Sequence, residues 1–508
     1  MARRIILWGI VLVACLGILS AIAYSTLRAF PNSGDEYAYV FQAQTLLNGG
    51  LWNAAPPSCE LFKNFHIICR DGKWMGKYPI GWPALLSAVG ALQLPYWAAG
   101  PLVGTATLLF FVFFTFRLTD SRTTAAIAGV SLFGTSFFLL NSASFFSHTL
   151  AALLGLLTAY MALKFLETER AYFASFAGAF LGCLFLTRPY TALLIALPLA
   201  AFAALARIEM ISKVKGATAG LVGVIPFLLI HAIYNELTTG SSAVTPFEWY
   251  APEDRLGFVH GHTPRKALGI AWRSVDELAG WANPLLLLAA LACFLRNSFT
   301  GRHDRRTLCF LAIFVTTLAG YMLYGPDPGN RYGPRYIFEG YVFLLLYVVV
   351  ETFGRGTTHR NDVRLKALIG AVFLAGFVWG LARIPGKLSQ EHRVVERRMD
   401  LFDQVEARGL DNAVVVIQSS AMGTLDLTRN GISLASEARG PVVGNPAVIY
   451  SNCGANRGCT DRNSDLPELH RLFPQRRLYR YRWDRTGGVG SLTEIRADRY
   501  REPEEQSG

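Results

Sequence analysis

Apolar stretches of near-bilayer length recur along the chain up to about residue 384 and then stop. A hydrocarbon core about 30 Å thick asks for about 20 consecutive apolar residues per helical crossing. Inside it each backbone polar group must find its partner locally, so such stretches take the form of helices. The sequence carries about eleven of them, near 5–25, 98–117, 123–141, 146–166, 171–187, 190–207, 217–234, 279–296, 307–324, 337–353 and 366–384. Of the 508 residues only 17% are charged and 52% are hydrophobic, whereas a soluble chain carries about a quarter charged residues. The expected fold is therefore an all-α polytopic membrane protein with about 11 transmembrane helices plus juxtamembrane helices. A small extracytoplasmic α/β domain follows as its tail.

Loop charges give this chain a direction. Arg3 and Arg4 precede the first stretch, and no A-x-A cleavage pattern follows it, so it reads as an uncleaved span entered from the cytoplasm. Arg117 and Arg122, Lys164 and Arg170, Arg207 to Lys215, Arg296 to Arg306 and Arg355 to Lys366 then all fall on the cytoplasmic side. The net charge of +12 is accounted for largely by these loops and is not a nucleic-acid signature. Residues 80–94 are apolar but short and bounded by Pro79, Pro83 and Pro95, so they are expected to lie along the membrane surface. The extracytoplasmic parts are then the loop 26–97, the loop 235–278, the hairpin tip near 325–336 and the tail. Residues 1–385 form the membrane domain and 386–508 the soluble domain, with a helix over 388–409 and strands at 413–418, 442–450 and 478–483.

The cysteines divide along the same line. Cys15, Cys183, Cys293 and Cys309 lie within apolar spans, while Cys59 and Cys69, and Cys453 and Cys459, form two close pairs in segments assigned outside. Local disulfides, four free thiols and a metal site all remain open readings of those pairs, although no C-x-x-C spacing is present.

Polar residues out of keeping with a membrane loop gather on the outer side. Asp35 and Glu36 follow the first span, where two acidic residues also suit the first turn of a helix. Lys77 and Tyr78 close the same loop; His148 opens the fourth span; Arg188 sits in a Thr-Arg-Pro turn between two apolar stretches. His262 lies in the second large loop, and Arg331, Arg335 and Tyr336 in the last hairpin, with Glu339 just inside the next span. Outward-facing Arg188, Arg331 and Arg335 run against the charge rule for topology, and an acidic residue within a span needs a partner. Lys77 and Arg188 snorkelling to headgroups, structural histidines, and an Arg335–Glu339 pair four residues apart are the plainer readings. Taken together, carboxylates can act as a base or hold a divalent cation, and Arg and Lys can bind phosphate.

The first span followed by Asp-Glu-Tyr-x-Tyr, the Lys-Tyr-Pro-x-Gly-Trp-Pro segment, the Thr-Arg-Pro turn and the Gly-Pro-Arg-Tyr hairpin are similar to those of a known family. The chain resembles the polytopic C-fold glycosyltransferases, which include the protein O-mannosyltransferases and the bacterial aminoarabinose transferases. The resemblance covers roughly residues 1–385. It implies transfer of a sugar from a polyprenyl-phosphate donor to a glycan, lipid or protein acceptor, with inversion, on the outer face of a bacterial inner membrane. It also implies Asp35 as the base, Glu36 as support to Asp35 or to a metal, and Lys77, Arg188 and Arg335 on the donor phosphate, with Arg331 competing with Arg335. Pro79-Ile80-Gly81-Trp82-Pro83 departs from the Pro-Pro-Leu helix start of many relatives. No cofactor follows from the residues beyond an optional divalent metal. Competing readings are a glycan polymerase or ligase of envelope assembly and a membrane transporter, whose charges would sit near the bilayer midplane.

Overall fold

A computed structural model describes residues 2–56, 58–62, 65–254, 256–301, 303–325, 331–354, 360–418, 448–452, 466–484 and 489–496. Each of the apolar stretches read from the sequence is helical. Among the described residues, six helices are long and apolar enough to cross a membrane, and eight if each of two bent pairs is one crossing. The bent pairs are Arg122–Phe133 with Ser136–Ala143, turned by 68°, and Pro264–Trp281 with Leu286–Thr300, turned by 106°. Two of the roughly eleven expected crossings are short for a bilayer. Ala171–Thr187 and Pro189–Ala204 have 17 and 16 residues, or roughly 25 Å at the α-helical rise. The stretch at 80–94 is an eleven-residue helix, Gly81–Ala91, too short to cross.

Small residues let these helices approach closely. Gly178 and Gly182 on Ala171–Thr187 face Gly220, Gly223 and Phe227 on Met210–Thr239. A Cβ at Gly178 would stand 2.0 Å from the Gly220 carbonyl oxygen, and one at Gly223 would stand 2.0 Å from that of Ser175. Where apolar association gives no advantage over lipid, backbone contact of this kind drives helix pairing.

The first outer loop holds more than helix. Three short strands, Asn53–Ala54, Ile67–Arg70 and Lys73–Gly76, form an antiparallel sheet with the third strand in the middle. Arg70 pairs with Lys73 across a two-residue loop, Asp71-Gly72, in which both residues take positive φ, 52° and 73°. That is the geometry Asp-Gly favours in a tight hairpin. A Cys59–Cys69 disulfide ties the sheet to the preceding turn. The all-α expectation missed this sheet because strands of two to four residues leave no alternation to read.

Beyond the last apolar stretch, Ile384–Ala407 is helical and Ala413–Gln418 and Arg477–Asp484 are strands, as expected. The strand expected at 442–450 is described only as Val448–Asn452, and Val489–Glu494 adds an edge strand. Ala413–Gln418 pairs in parallel with Val448–Asn452 and Arg477–Asp484, giving a mixed four-stranded sheet. Cys453 and Cys459 lie outside the described residues.

Gly178→Leu and Gly223→Leu should each separate the two helices and lower the thermal midpoint of the detergent-solubilised protein, at a cost of about 3 kcal/mol or more. Gly269→Ala, with nothing within 4 Å of its Cβ position, serves as the control that does not lower it.

Candidate active site

Ser33 caps the helix Gly34–Leu47, its hydroxyl accepting from the Glu36 amide, so Asp35 and Glu36 do occupy a first helical turn. Consecutive helical residues point about 100° apart, and these two carboxylates take entirely different partners. Both Glu36 oxygens accept backbone amides, from Asn32 at 2.9 Å and Phe145 at 3.1 Å, and the side chain is fully buried. Burial pushes its carboxyl above the usual range, against the opposing Arg331 charge and those hydrogen bonds. Glu36 thus fastens the loop before the helix to the segment 144–147.

Asp35 faces a cluster of donors. Arg335 Nη2 donates to Oδ2 at 3.0 Å, the Tyr78 hydroxyl donates to Oδ1, and His66 Nε2 stands 4.0 Å from Oδ1. Burial alone would raise the Asp35 carboxyl, but the charge of Arg335, the electrostatic influence of His66, the Tyr78 hydroxyl and Lys77 together hold it well below the usual range. The hairpin delivers two of these groups. His66 and Lys77 flank the last pair of its ladder, Ile67 with Gly76, and the Lys77 amide donates to the His66 carbonyl at 3.0 Å. Burial lowers the His66 imidazole to about 4 and the Lys77 ammonium to about 8. The Lys77 ammonium lies 4.4 Å from the Phe247 ring and 4.6 Å from that of Tyr250, so the second large loop reaches the same place.

Arg188 stands next to this group. Its guanidinium donates to the Tyr321 hydroxyl at 3.1 Å and to Ser147 Oγ at 3.4 Å, and its Nε lies 3.5 Å from Glu339 Oε1. Glu339, fully buried, also meets His148 Nδ1 at 3.2 Å. The Arg335–Glu339 pair that spacing allowed is not formed: Arg335 turns to Asp35, and Glu339 to Arg188 and His148. Tyr336 links the two charge pairs. Its ring stacks on Tyr321 at 5.0 Å and lies 5.3 Å from the Arg335 and 5.7 Å from the Arg188 guanidinium carbon.

Two sequence-derived candidates lie apart from Asp35. Arg331 pairs with Glu391 of the helix Ile384–Ala407 at 3.3 Å. His262 Nε2 lies 2.8 Å from the Met322 carbonyl oxygen and stacks on Phe258. His66, Phe146, Ser147 and Tyr321 were missed, since single polar or aromatic residues carry no spacing signal.

The motifs also divide by role. Trp82 Nε1 donates to the Phe145 carbonyl at 2.6 Å. A Cβ at Gly81 would stand 2.6 Å from Thr187 Oγ1, so the juxtamembrane helix starts against the Thr-Arg-Pro turn. Among the described residues, no three His, Cys, Asp or Glu side chains converge on a metal position. Asp35 is committed to cationic and hydroxyl donors and Glu36 to backbone amides, a set that among the described residues does not fit a divalent cation.

This architecture is that of a polytopic membrane protein with the C fold of glycosyltransferases. Among solved structures, the chain is similar to ArnT from Cupriavidus metallidurans in the apo state, with 12% identity, a TM-score of 0.54, and coverage of 98% of this chain and 99% of that one. ArnT bound to undecaprenyl phosphate matches with 12% identity, a TM-score of 0.53 and coverage of 98% and 99%. The archaeal oligosaccharyltransferase AglB from Archaeoglobus fulgidus, in complex with an inhibitory peptide and a dolichol-phosphate, matches with 10% identity, a TM-score of 0.50 and coverage of 96% and 74%. No protein-family model matches the chain, nor does any curated protein match it in sequence.

Arg335→Met leaves the Asp35 carboxylate largely buried without its main partner and should destabilise the protein by about 3 kcal/mol. Adding Asp35→Asn should restore part of that loss in the same thermal unfolding assay; strictly additive losses would mean the pair is not coupled.

Proposed function

We propose that the protein is a membrane glycosyltransferase that moves a sugar from a polyprenyl-phosphate donor to a hydroxyl of a glycan, lipid or protein acceptor, with inversion. The observation that carries this reading is one carboxylate, Asp35, kept ionised beside Arg335 and Lys77, with Arg188 in the adjoining pair. The likeness of fold supports it, since one ArnT structure holds undecaprenyl phosphate and the AglB structure a dolichol-phosphate. The face bearing Asp35 is then the extracytoplasmic face of a bacterial inner membrane, and the tail lies on that side.

In this reaction the acceptor oxygen forms a bond to the anomeric carbon as the bond from that carbon to the phosphate oxygen breaks. The acceptor proton passes to Asp35, and the lipid phosphate leaves with the bonding electron pair. A carboxylate held so far below its usual range is a weak base. It orients the hydroxyl and takes the proton late, when the acceptor oxygen has already become acidic. The charge growing on the phosphate is met by Arg335, Lys77 and Arg188; guanidinium groups suit two phosphate oxygens at once. Arg335 therefore exchanges Asp35 for phosphate when the donor binds, freeing Oδ2 to accept from the acceptor. Glu36 acts by positioning, through the backbone of Asn32 and Phe145.

Reconstituted protein supplied with radiolabelled polyprenyl-phosphate sugars, with release of the lipid phosphate as readout, tests this directly. Asp35→Asn should lower turnover by about 10²–10⁴-fold, and Arg188→Ala should do so while the protein stays folded. Full turnover by both variants would place the site elsewhere.

Lys77 sets a pH limit. Its lowered ammonium loses charge as pH rises through about 8 in the free protein, so kcat/KM should fall there. Bound phosphate stabilises the ammonium, so the limb of kcat should lie higher. Lys77→Arg, always charged, should abolish the limb near pH 8; an unchanged limb would show that Lys77 does not govern donor binding.

A further inference from the structure

Three helices have one end at the Asp35 cluster and the other at a second polar site. His148–Thr168 begins at the partner of Glu339, Pro189–Ala204 begins beside Arg188, and Arg305–Met322 ends beside Tyr321. Their far ends, at Leu166, Phe202 and Arg305, line one cavity of about 460 Å³ that opens to the surface. With 21, 16 and 18 residues, these helices separate the two sites by roughly 25–30 Å, the thickness of a bilayer's hydrocarbon core.

The cavity is cationic on one side and apolar on the other. Arg207, Arg305 and Arg306 line it with His303, and Leu166 and Phe202 form its apolar wall. Asp304, also in the lining, caps the last of the three helices through the Arg306 amide and lies 3.5 Å from the Arg306 Nε. Arg305 Nη1 donates to the Leu205 carbonyl at 3.0 Å, and Arg306 also faces Glu167 at 3.7 Å. Arg207 is exposed and makes no hydrogen bond or ion pair among the described residues. Around it the chain shows large apolar side chains to the outside: Leu205 is 72%, Met210 70% and Ile211 74% exposed. Cations beside bare apolar surface at a bilayer's distance from the other polar site match an amphiphile with an anionic head.

We propose that this cavity binds the phosphate headgroup of an anionic membrane phospholipid, at the opposite end of the bundle from Asp35. Arg207 is its uncommitted ligand. Arg305 is held to the helix end beside it and Arg306 is shared with carboxylates, and both line the same cavity. The acyl chains run along the exposed apolar side chains of Leu205, Met210 and Ile211. Basic pockets between membrane helices recognise anionic lipid heads in this way, each cation adding about 1 kcal/mol, or about fivefold.

Native mass spectrometry of the full-length detergent-purified protein, titrated separately with phosphatidylglycerol and phosphatidylcholine, tests the proposal. Phosphatidylglycerol should bind at least tenfold more tightly, on the order of one or more cations' contribution. Arg207→Gln, which breaks no contact within the described residues, should weaken it about fivefold. Arg207→Gln with Arg305→Gln and Arg306→Gln should weaken it on the order of a hundredfold. Equal binding of the two lipids, or full retention by Arg207→Gln, would overturn the site. Displacement of the lipid by inorganic phosphate at equal concentration would assign the cavity to a soluble anion and overturn the lipid assignment.

Discussion

The ion pair between Asp35 and Arg335 joins residues 300 positions apart and places both largely out of water. Neither charge is tolerable alone at that depth, because removing an ion from water costs several kcal/mol that only a well-placed partner offsets. The surrounding structure supplies the placement. Ser33 starts one helix so that Asp35 lies in its first turn, while Gly333, at φ +92° and against Phe137, turns the last hairpin toward it. Asn141 holds that hairpin by donating to the Tyr332 carbonyl at 3.0 Å. The Phe146 ring lies 4.5 Å from the Arg335 guanidinium carbon and limits where it can go. The first loop, the bent helix Ser136–Ala143 and the last hairpin thereby share one fixed point.

Around that point the charges sort into layers. Asp35 and Arg335 face Lys77 and the aromatic side chains of the second large loop. Behind them, Arg188, Glu339 and His148 form a buried set joined to the first by Tyr336. On the other side, Glu36 and Arg331 tie backbone and tail into place. The tail helix contributes further: Arg28, just before Ser33, pairs with Asp403 at 2.8 Å and Glu396 at 3.3 Å, and Phe30 packs against Phe402. The segment that leads into the turn bearing Asp35 is therefore braced by Ile384–Ala407, a helix from outside the apolar part of the chain.

The fold was legible wherever a signal extended over many residues. Each long apolar stretch became a helix, because lipid leaves the backbone few alternatives. The strands at Ala413–Gln418 and Arg477–Asp484 showed themselves by β-branched and aromatic runs. The small sheet of the first loop did not, although its Asp71-Gly72 turn carried a hairpin signal in two residues. Of the site, Asp35, Lys77, Tyr78, Arg335 and Tyr336 were each readable as residues that a membrane loop does not need. Their grouping was supported by the family resemblance rather than by spacing.

What the amino-acid sequence determined by itself was a multi-helix membrane architecture and a set of polar residues out of place in it; the structure chose the Cys59–Cys69 disulfide from the open readings of that pair. Tertiary structure alone decided how the carboxylates and arginines pair. Sequence spacing put Glu339 within reach of Arg335, and chain proximity put Glu36 beside Asp35 as its support. In the folded chain Arg335 meets Asp35, Arg188 meets Glu339, and the Glu36 carboxylate accepts from the backbone amides of Asn32 and Phe145 while Ser33 caps its turn. A charge in a low-dielectric interior is governed by whatever opposite charge packing brings within about 4 Å. That choice is made among elements hundreds of residues apart, where no local pattern records it.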